Sequence, residues 1–220
     1  MVRIPLIIGH RGASRDAPEN TLAAFRLAWE QGADGIECDF RLTRDGRIVC
    51  IHDATTGRTA GVDLTVADAS LDELRRLDAG AWKGSRWAGE RIPLLEEVLA
   101  LLPPGKRLLI ELKSGPDIVP VLRDVLAGSG ADPAATAILS FSEEVVAASR
   151  RVIPGCTVLW LCDYRRRGVL GGWHPDLGEV LAALERTSAH GLASRAHPCL
   201  DVPFAAALRE RGRELHVWTV

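Results

Sequence analysis

Short apolar runs alternate with amphipathic stretches along almost the whole chain. Apolar runs bounded by turn residues read as buried strands, and stretches with apolar residues three and four apart read as helices. The predicted strands are Ile4–Gly9, Gly35–Leu42, Ile48–His52, Arg107–Lys113, Thr136–Phe141, Thr157–Cys162, Gly191–Arg195 and Glu214–Val220. Between them fall predicted helices at Asn20–Gln31, Ser70–Leu77, Leu94–Leu102, Ile118–Ala127, Ser142–Val152, Leu177–Thr187 and Val202–Arg211. Leu22, Phe25 and Trp29 line one face of the first helix, and Gly32 supplies a stop signal. Ser70 followed by Glu73 is a capping-box pattern. Strands alternating with helices predict an α/β protein made of parallel βα units.

Residues 53–92 interrupt this rhythm with a stretch rich in Gly, Asp, Thr and Trp and holding one short predicted helix. A connection this long exceeds an ordinary βα loop. Trp82 and Trp87 argue that it is ordered and covers something. No Pro/Gly linker or low-complexity segment divides the chain, so a single domain over residues 1–220 is expected, with 53–92 inserted.

Composition narrows the class without naming it. Hydrophobic residues make up 47% and charged residues 25% of the 220 positions, as in soluble globular proteins. A net charge of −2 gives no reason to expect nucleic acid, and Arg165, Arg166 and Arg167 read as a solvated face. No segment reaches the roughly 20 apolar residues of a bilayer span. The N-terminus lacks a signal-peptide pattern, so a cytoplasmic location without stable membrane insertion is expected. The five cysteines show no zinc spacing and read as buried thiols. Nothing sets the oligomeric state, and a homo-oligomer is left open.

The chemistry gathers at strand ends. In Glu37-Cys38-Asp39 the carboxylates are two apart on a strand, so they project from one side while Cys38 points away. Glu111-Leu112-Lys113 repeats the arrangement, His10-Arg11 follows the first strand, and His52-Asp53 ends the third. The C-terminal ends of barrel strands converge on one face. Three carboxylates meeting there repel unless a cation lies among them, and oxygen-only ligation selects Mg²⁺ or Ca²⁺. His10 and His52 can serve as general acid and base. Arg11 and Lys113 suit phosphate oxygens. The set points to phosphodiester hydrolysis. His174, His190, His197 and His216 lack such neighbours and read as structural.

His10-Arg11-Gly12, Pro18-Glu19-Asn20-Thr21, Gly35-x-Glu37-x-Asp39, Thr43-x-Asp45-Gly46, His52-Asp53 and Glu111-x-Lys113 occur in this order. Leu77-Asp78-Ala79-Gly80, the run Ile92 to Glu97 and Val217-Trp218-Thr219-Val220 continue the series. The ordered set resembles that of the glycerophosphodiester phosphodiesterases over nearly the whole chain. That resemblance implies a TIM (β/α)8 barrel with a small insertion after the strand ending at His52. It implies a small-molecule glycerophosphodiester substrate, hydrolysed to sn-glycerol 3-phosphate and an alcohol. Glu37, Asp39 and Glu111 would hold Mg²⁺ or Ca²⁺, with His10 and His52 as the catalytic pair. Arg11 and Lys113 would contact phosphate, Trp218 would line the glycerol side, and Glu19 and Asn20 would support the His10 loop. The family usually continues past the Trp218 motif with a further helix and strand, so the closing βα unit is expected to be missing. Ile4–Gly9 and Leu215–Val220 would then be the lips of an open barrel. Two alternatives stay open: a related barrel acting on lysophospholipids, to which Trp173 and the insertion tryptophans would offer an apolar entrance, and a non-catalytic barrel that binds a phosphoester.

Overall fold

A computed structural model describes residues 5–166 and 172–218. Two compact units, Met1–Thr136 and Ala137–Val220, are taken in turn.

The first unit holds the strands β1 (Ile8–His10), β2 (Gly35–Leu42), β3 (Ile48–Cys50) and β4 (Arg107–Leu112). β2 is the centre, with β1 and β4 parallel to it on either side. Its two-residue alternation sends Cys38 and Phe40 to the opposite face from Glu37 and Asp39, and all four are buried. Helix α1 (Leu22–Glu30) starts where Thr21 Oγ1 accepts from the Ala24 amide at 3.2 Å. It buries Ala24, Phe25 and Ala28. The expected strand Ile4–Gly9 begins later, at Ile8. Leu6 and Ile7 are exposed, at 54% and 70%, not buried, and Ile4 lies outside the described residues.

The largest departure concerns Ile48–His52, expected as a parallel barrel strand. Instead β3 is antiparallel to β2, with Phe40 opposite Cys50 and Leu42 opposite Ile48. A parallel connection needs a crossover of about a dozen residues or more, and the link from Leu42 to Ile48 is far shorter. That link closes as a tight turn. The Thr43 amide donates to Arg47 O at 2.9 Å, Thr43 Oγ1 donates to Asp45 at 2.6 Å, and Gly46 takes a φ of +73°. His52 therefore sits two residues beyond a hairpin strand, not at the end of a barrel strand.

The segment after β3 is ordered and more helical than expected. It contains α2 (Gly57–Ala60), α3 (Leu71–Arg75) and 3₁₀ turns at Val66–Asp68, Ala81–Lys83 and Ser85–Trp87. Ser70 and Glu73 form the capping box foreseen for α3. Val49, Ile51, Val66, Ala69, Leu74, Ala79 and Ile92 give the segment a small core of its own. Two cations latch it onto the loop after β1: Lys83 Nζ donates to Ser14 O at 2.8 Å and Arg86 to Asp16 O at 2.9 Å. Helices α4 (Leu95–Ala100) and α5 (Ile118–Ser129) complete the unit and bury Leu95, Val98, Ile118 and Leu122.

The second unit contains most of β5 (Thr136–Ser140), then β6 (Thr157–Cys162), β7 (Arg165–Arg166), β8 (Trp173–His174), β9 (Gly191–Arg195) and β10 (Glu214–Trp218). β5, β6, β9 and β10 run parallel in that order. Helices α6 (Glu143–Val152), α7 (Leu177–Thr187) and α8 (Val202–Glu210) are capped by Ser142, Asp176 and Asp201. β7 and β8 form an antiparallel ribbon that hydrophobic periodicity did not predict, since two-residue strands carry no period. Arg165 and Arg166 are exposed there, while Arg167, Leu170, Thr219 and Val220 lie outside the described residues.

Gly12 fixes the turn that leads out of β1. Its φ is +76°, and a Cβ there would lie 2.7 Å from the backbone carbon of Ala24. Neither the left-handed conformation nor the contact with α1 can relax cheaply. Gly12→Ala is therefore expected to destabilise the protein by about 2 kcal/mol or more, read from urea unfolding. An unchanged midpoint would contradict the close approach.

Candidate active site

Strand register assembles the site. His10 stands opposite Glu37 across β1 and β2, and Asp39 stands opposite Glu111 across β2 and β4. Paired positions in a parallel sheet face the same side, so these side chains form one group. Ligand oxygens of Glu37, Asp39 and Glu111 lie within 4.8 Å of one another, and all three residues are buried.

Two cations bind this negative cluster. Lys113 Nζ lies 3.1 Å from Asp39 Oδ1 and pairs also with Glu111, while Arg11 Nε lies 3.2 Å from Asp39 Oδ2. Asp39 is fully buried, and the Asn20 side chain clasps it from both ends. Asn20 Nδ2 donates to Asp39 Oδ2 at 2.8 Å, and the Asp39 amide donates to Asn20 Oδ1 at 3.2 Å. Glu37 is less well served. Its Oε2 accepts from the Arg11 amide at 3.1 Å, but its Oε1 is buried and accepts no hydrogen bond. Burial, then the charges of Asp39 and Glu111, push the Glu37 pKa well above its ordinary value. Burial raises Glu111 as well. A hard cation fits this donor set, since it would supply the orphaned oxygen with a partner and offset the repulsion.

His10 ends β1 directly before Arg11, and His52 lies just beyond β3. His10 Nε2 lies 3.9 Å from Glu37 Oε2, and burial followed by the Arg11 charge lowers its pKa. His52 Nδ1 lies 2.7 Å from Asp53 Oδ1. Arg11 and Asn20 take left-handed φ values of +56° and +57°, which Asn tolerates and Arg resists. The Asn20 amide donates to Arg11 O at 3.1 Å, and Arg11 Nη1 donates to Glu19 at 2.9 Å. Glu19 and Asn20 thus do tie down the loop, but Asn20 also holds Asp39.

Several residues at the site were not singled out from the sequence. Arg41 continues the alternation of Glu37 and Asp39 and donates to His52 O through Nε and Nη2, at 3.0 and 2.8 Å. That two-residue spacing was the signal for it. Asp53 was visible only as a neighbour of His52. Arg58 lies in the interrupting segment, where no periodicity marks it, yet it bonds both Glu19 and Asp53. Trp218 belongs to the second unit, where its ring stands edge-on to Phe141 with centroids 6.1 Å apart. The cysteines match expectation in Cys38, Cys50, Cys156 and Cys162, which are buried, while Cys199 is half-buried.

The parallel strands β1, β2 and β4 thus carry an oxygen-only acidic cluster that could hold a metal ion, with His10 beside it. The profile of the glycerophosphoryl diester phosphodiesterase family matches residues 10–220. The protein of Mycobacterium tuberculosis named probable glycerophosphodiester phosphodiesterase 1 is 32% identical over 219 residues, covering 86% of this chain and 80% of the relative. The glycerophosphodiester phosphodiesterase of Caldanaerobacter subterraneus subsp. tengcongensis is 49% identical over 122 residues, 55% of this chain. The matched stretch spans 50% of that relative's length. An Oleispira antarctica phosphodiesterase, solved with its product sn-glycerol-3-phosphate, superposes with a TM-score of 0.85 at 27% identity, covering 99% of this chain and 85% of that one. The chain belongs to the glycerophosphoryl diester phosphodiesterase family and has its α/β TIM-barrel fold.

The like-charge geometry has a measurable consequence. A group whose folded pKa is raised stabilises the fold at low pH and loses that contribution as pH rises through the folded value. In metal-free protein, Glu37→Gln is therefore expected to raise Tm at neutral pH, with the difference shrinking toward pH 4.5, the ordinary glutamate value. A Tm lowered at neutral pH would show that Glu37 is satisfied as a carboxylate.

Proposed function

We propose that this chain is a divalent-cation-dependent phosphodiesterase that hydrolyses glycerophosphodiesters to sn-glycerol 3-phosphate and an alcohol. The observation that carries this reading is the buried cluster of Glu37, Asp39 and Glu111 with its orphaned Glu37 oxygen. The three carboxylates would hold Mg²⁺ or Ca²⁺. Such an ion, when bound, neutralises charge developing on the phosphoryl oxygens.

The chain's own side chains supply the rest. Arg11 and Lys113 both pair with Asp39, so a phosphate beside the cluster would meet a guanidinium and an ammonium. One imidazole of the His10 and His52 pair takes a proton from the nucleophile, and the other delivers one to the leaving alcohol oxygen. The lowered pKa of His10 keeps its ring neutral near pH 7, suited to accepting a proton. The Asp53 contact occupies Nδ1 of His52 and leaves Nε2 for chemistry.

Hydrolysis of glycerophosphocholine and glycerophosphoethanolamine, assayed with EDTA and then with added Mg²⁺, Ca²⁺ or Mn²⁺, tests the reading. Activity abolished by EDTA and restored by a cation is expected, and acylated substrates should react more slowly. Cation-independent turnover would sink the metal role, and faster cleavage of the acylated substrate would favour the lysophospholipid alternative. His10→Ala and His52→Ala are each expected to lower kcat by about 100-fold or more while the protein stays folded. Near-normal turnover by either variant on a substrate with a poor leaving group would overturn that histidine's role.

A further inference from the structure

Among the described residues, Arg58 is the one that bonds both acidic groups that brace the site's basic side chains. Its fork is bidentate on Glu19, with Nη1 at 2.9 Å from Oε2 and Nη2 at 2.8 Å from Oε1. Its Nε donates to Asp53 Oδ2 at 2.5 Å. Glu19 Oε1 also accepts from Arg11 Nη1 at 2.9 Å, and Asp53 Oδ1 meets His52 Nδ1 at 2.7 Å. The result is a continuous path, Arg11–Glu19–Arg58–Asp53–His52, joining the loop after β1 to the segment after β3.

We propose that Arg58 is a positioning residue: by dividing Asp53 so that one oxygen faces Arg58 and the other faces His52, it sets the His52 tautomer and orientation. This rests on the reading of His52 as a general acid–base group. Nδ1 is the ring nitrogen held, so the neutral imidazole carries its proton there, donates it to Asp53, and presents Nε2 as the reactive lone pair. A carboxylate imposes a tautomer only while it is ionised and fixed in its plane. Arg58 supplies both conditions. The hydrogen bond from Arg58 is the foremost cause that lowers the Asp53 pKa, to about 2, so Asp53 accepts and never donates near neutrality. Asp53 is partly exposed and has a rotatable carboxyl, so without Arg58 only the single contact with His52 itself would hold its plane among the contacts described.

A plain stapling role is the rival account. Arg58 joins two segments, and any such cross-link adds some stability. Against a staple alone stands the division of labour at Asp53, because a staple needs no contact that ends on an imidazole nitrogen. Arg58 is also 45% exposed, and exposed ion pairs contribute little to folding, so its removal should leave the fold standing. The guanidinium geometry matters too. Lys can reach Glu19 or Asp53 as a point charge but cannot fork one while bonding the other.

The deciding experiment is nitrogen-15 NMR of the His52 ring in the intact chain, at a pH where imidazoles are neutral, with His52→Asn to assign the signal. In the native protein His52 is expected to be protonated at Nδ1. In Arg58→Gln that population should shift toward Nε2–H, and Arg58→Lys should fall between. With glycerophosphocholine and Mg²⁺, Arg58→Gln should lower kcat by about tenfold or more and leave KM within about twofold, as expected when a bound substrate meets a misaligned acid–base group. An Nε2-protonated His52 in the native protein overturns the proposal without any variant. So does an unchanged tautomer in folded Arg58→Gln, whatever happens to kcat or Tm. If the native protein hydrolyses no glycerophosphodiester, the functional reading fails, while the tautomer measurement still decides the role of Arg58.

Discussion

Three buried carboxylates on one face of a parallel sheet cannot coexist without compensation, and the first unit is organised around that constraint. Glu37 and Asp39 project together because they are two residues apart on β2, and strand register adds Glu111 from β4. The chain answers with Lys113 from the end of β4 and Arg11 from the loop after β1. Two cations against three carboxylates leave an excess of negative charge. That excess falls on Glu37, whose Oε1 has no hydrogen-bond donor. Burial makes this arrangement costly unless a further positive charge offsets it.

Holding Arg11 in place strains the backbone. A non-glycine residue at φ +56° costs of order 1 kcal/mol or more, and the loop tolerates it because its neighbours over-determine the position. Gly12 packs against α1, Asn20 bonds the Arg11 carbonyl, and Glu19 grips the guanidinium. Asn20 links this scaffolding to the carboxylates, since the same side chain clasps Asp39.

The segment from 53 to 92 has a matching place in this design. It packs on a small core with β3 and latches the loop after β1 through Lys83 and Arg86. Its Arg58 then reaches the braces of both Arg11 and His52. An interruption of the βα rhythm thus contributes polar contacts to the residues around the site.

Local spacing along the chain was enough to determine the strands that carry Glu37, Asp39 and Glu111, the capping box of α3, and the candidate histidines and cations. Each of these depends on side-chain alternation or on neighbours a few residues apart, which a sequence displays directly. The reversal of β3 was also within reach, because the Thr43–Arg47 turn is too short for a parallel crossover. The two-residue strands β7 and β8 were not, for they are shorter than one period. Tertiary structure alone decided that Asn20 clasps Asp39, that Arg11 and Lys113 converge on the same carboxylate, and that Arg58 joins Glu19 to Asp53. Those contacts span separations from 5 to 74 residues, and their geometry follows from strand register and loop closure, which no local periodicity encodes.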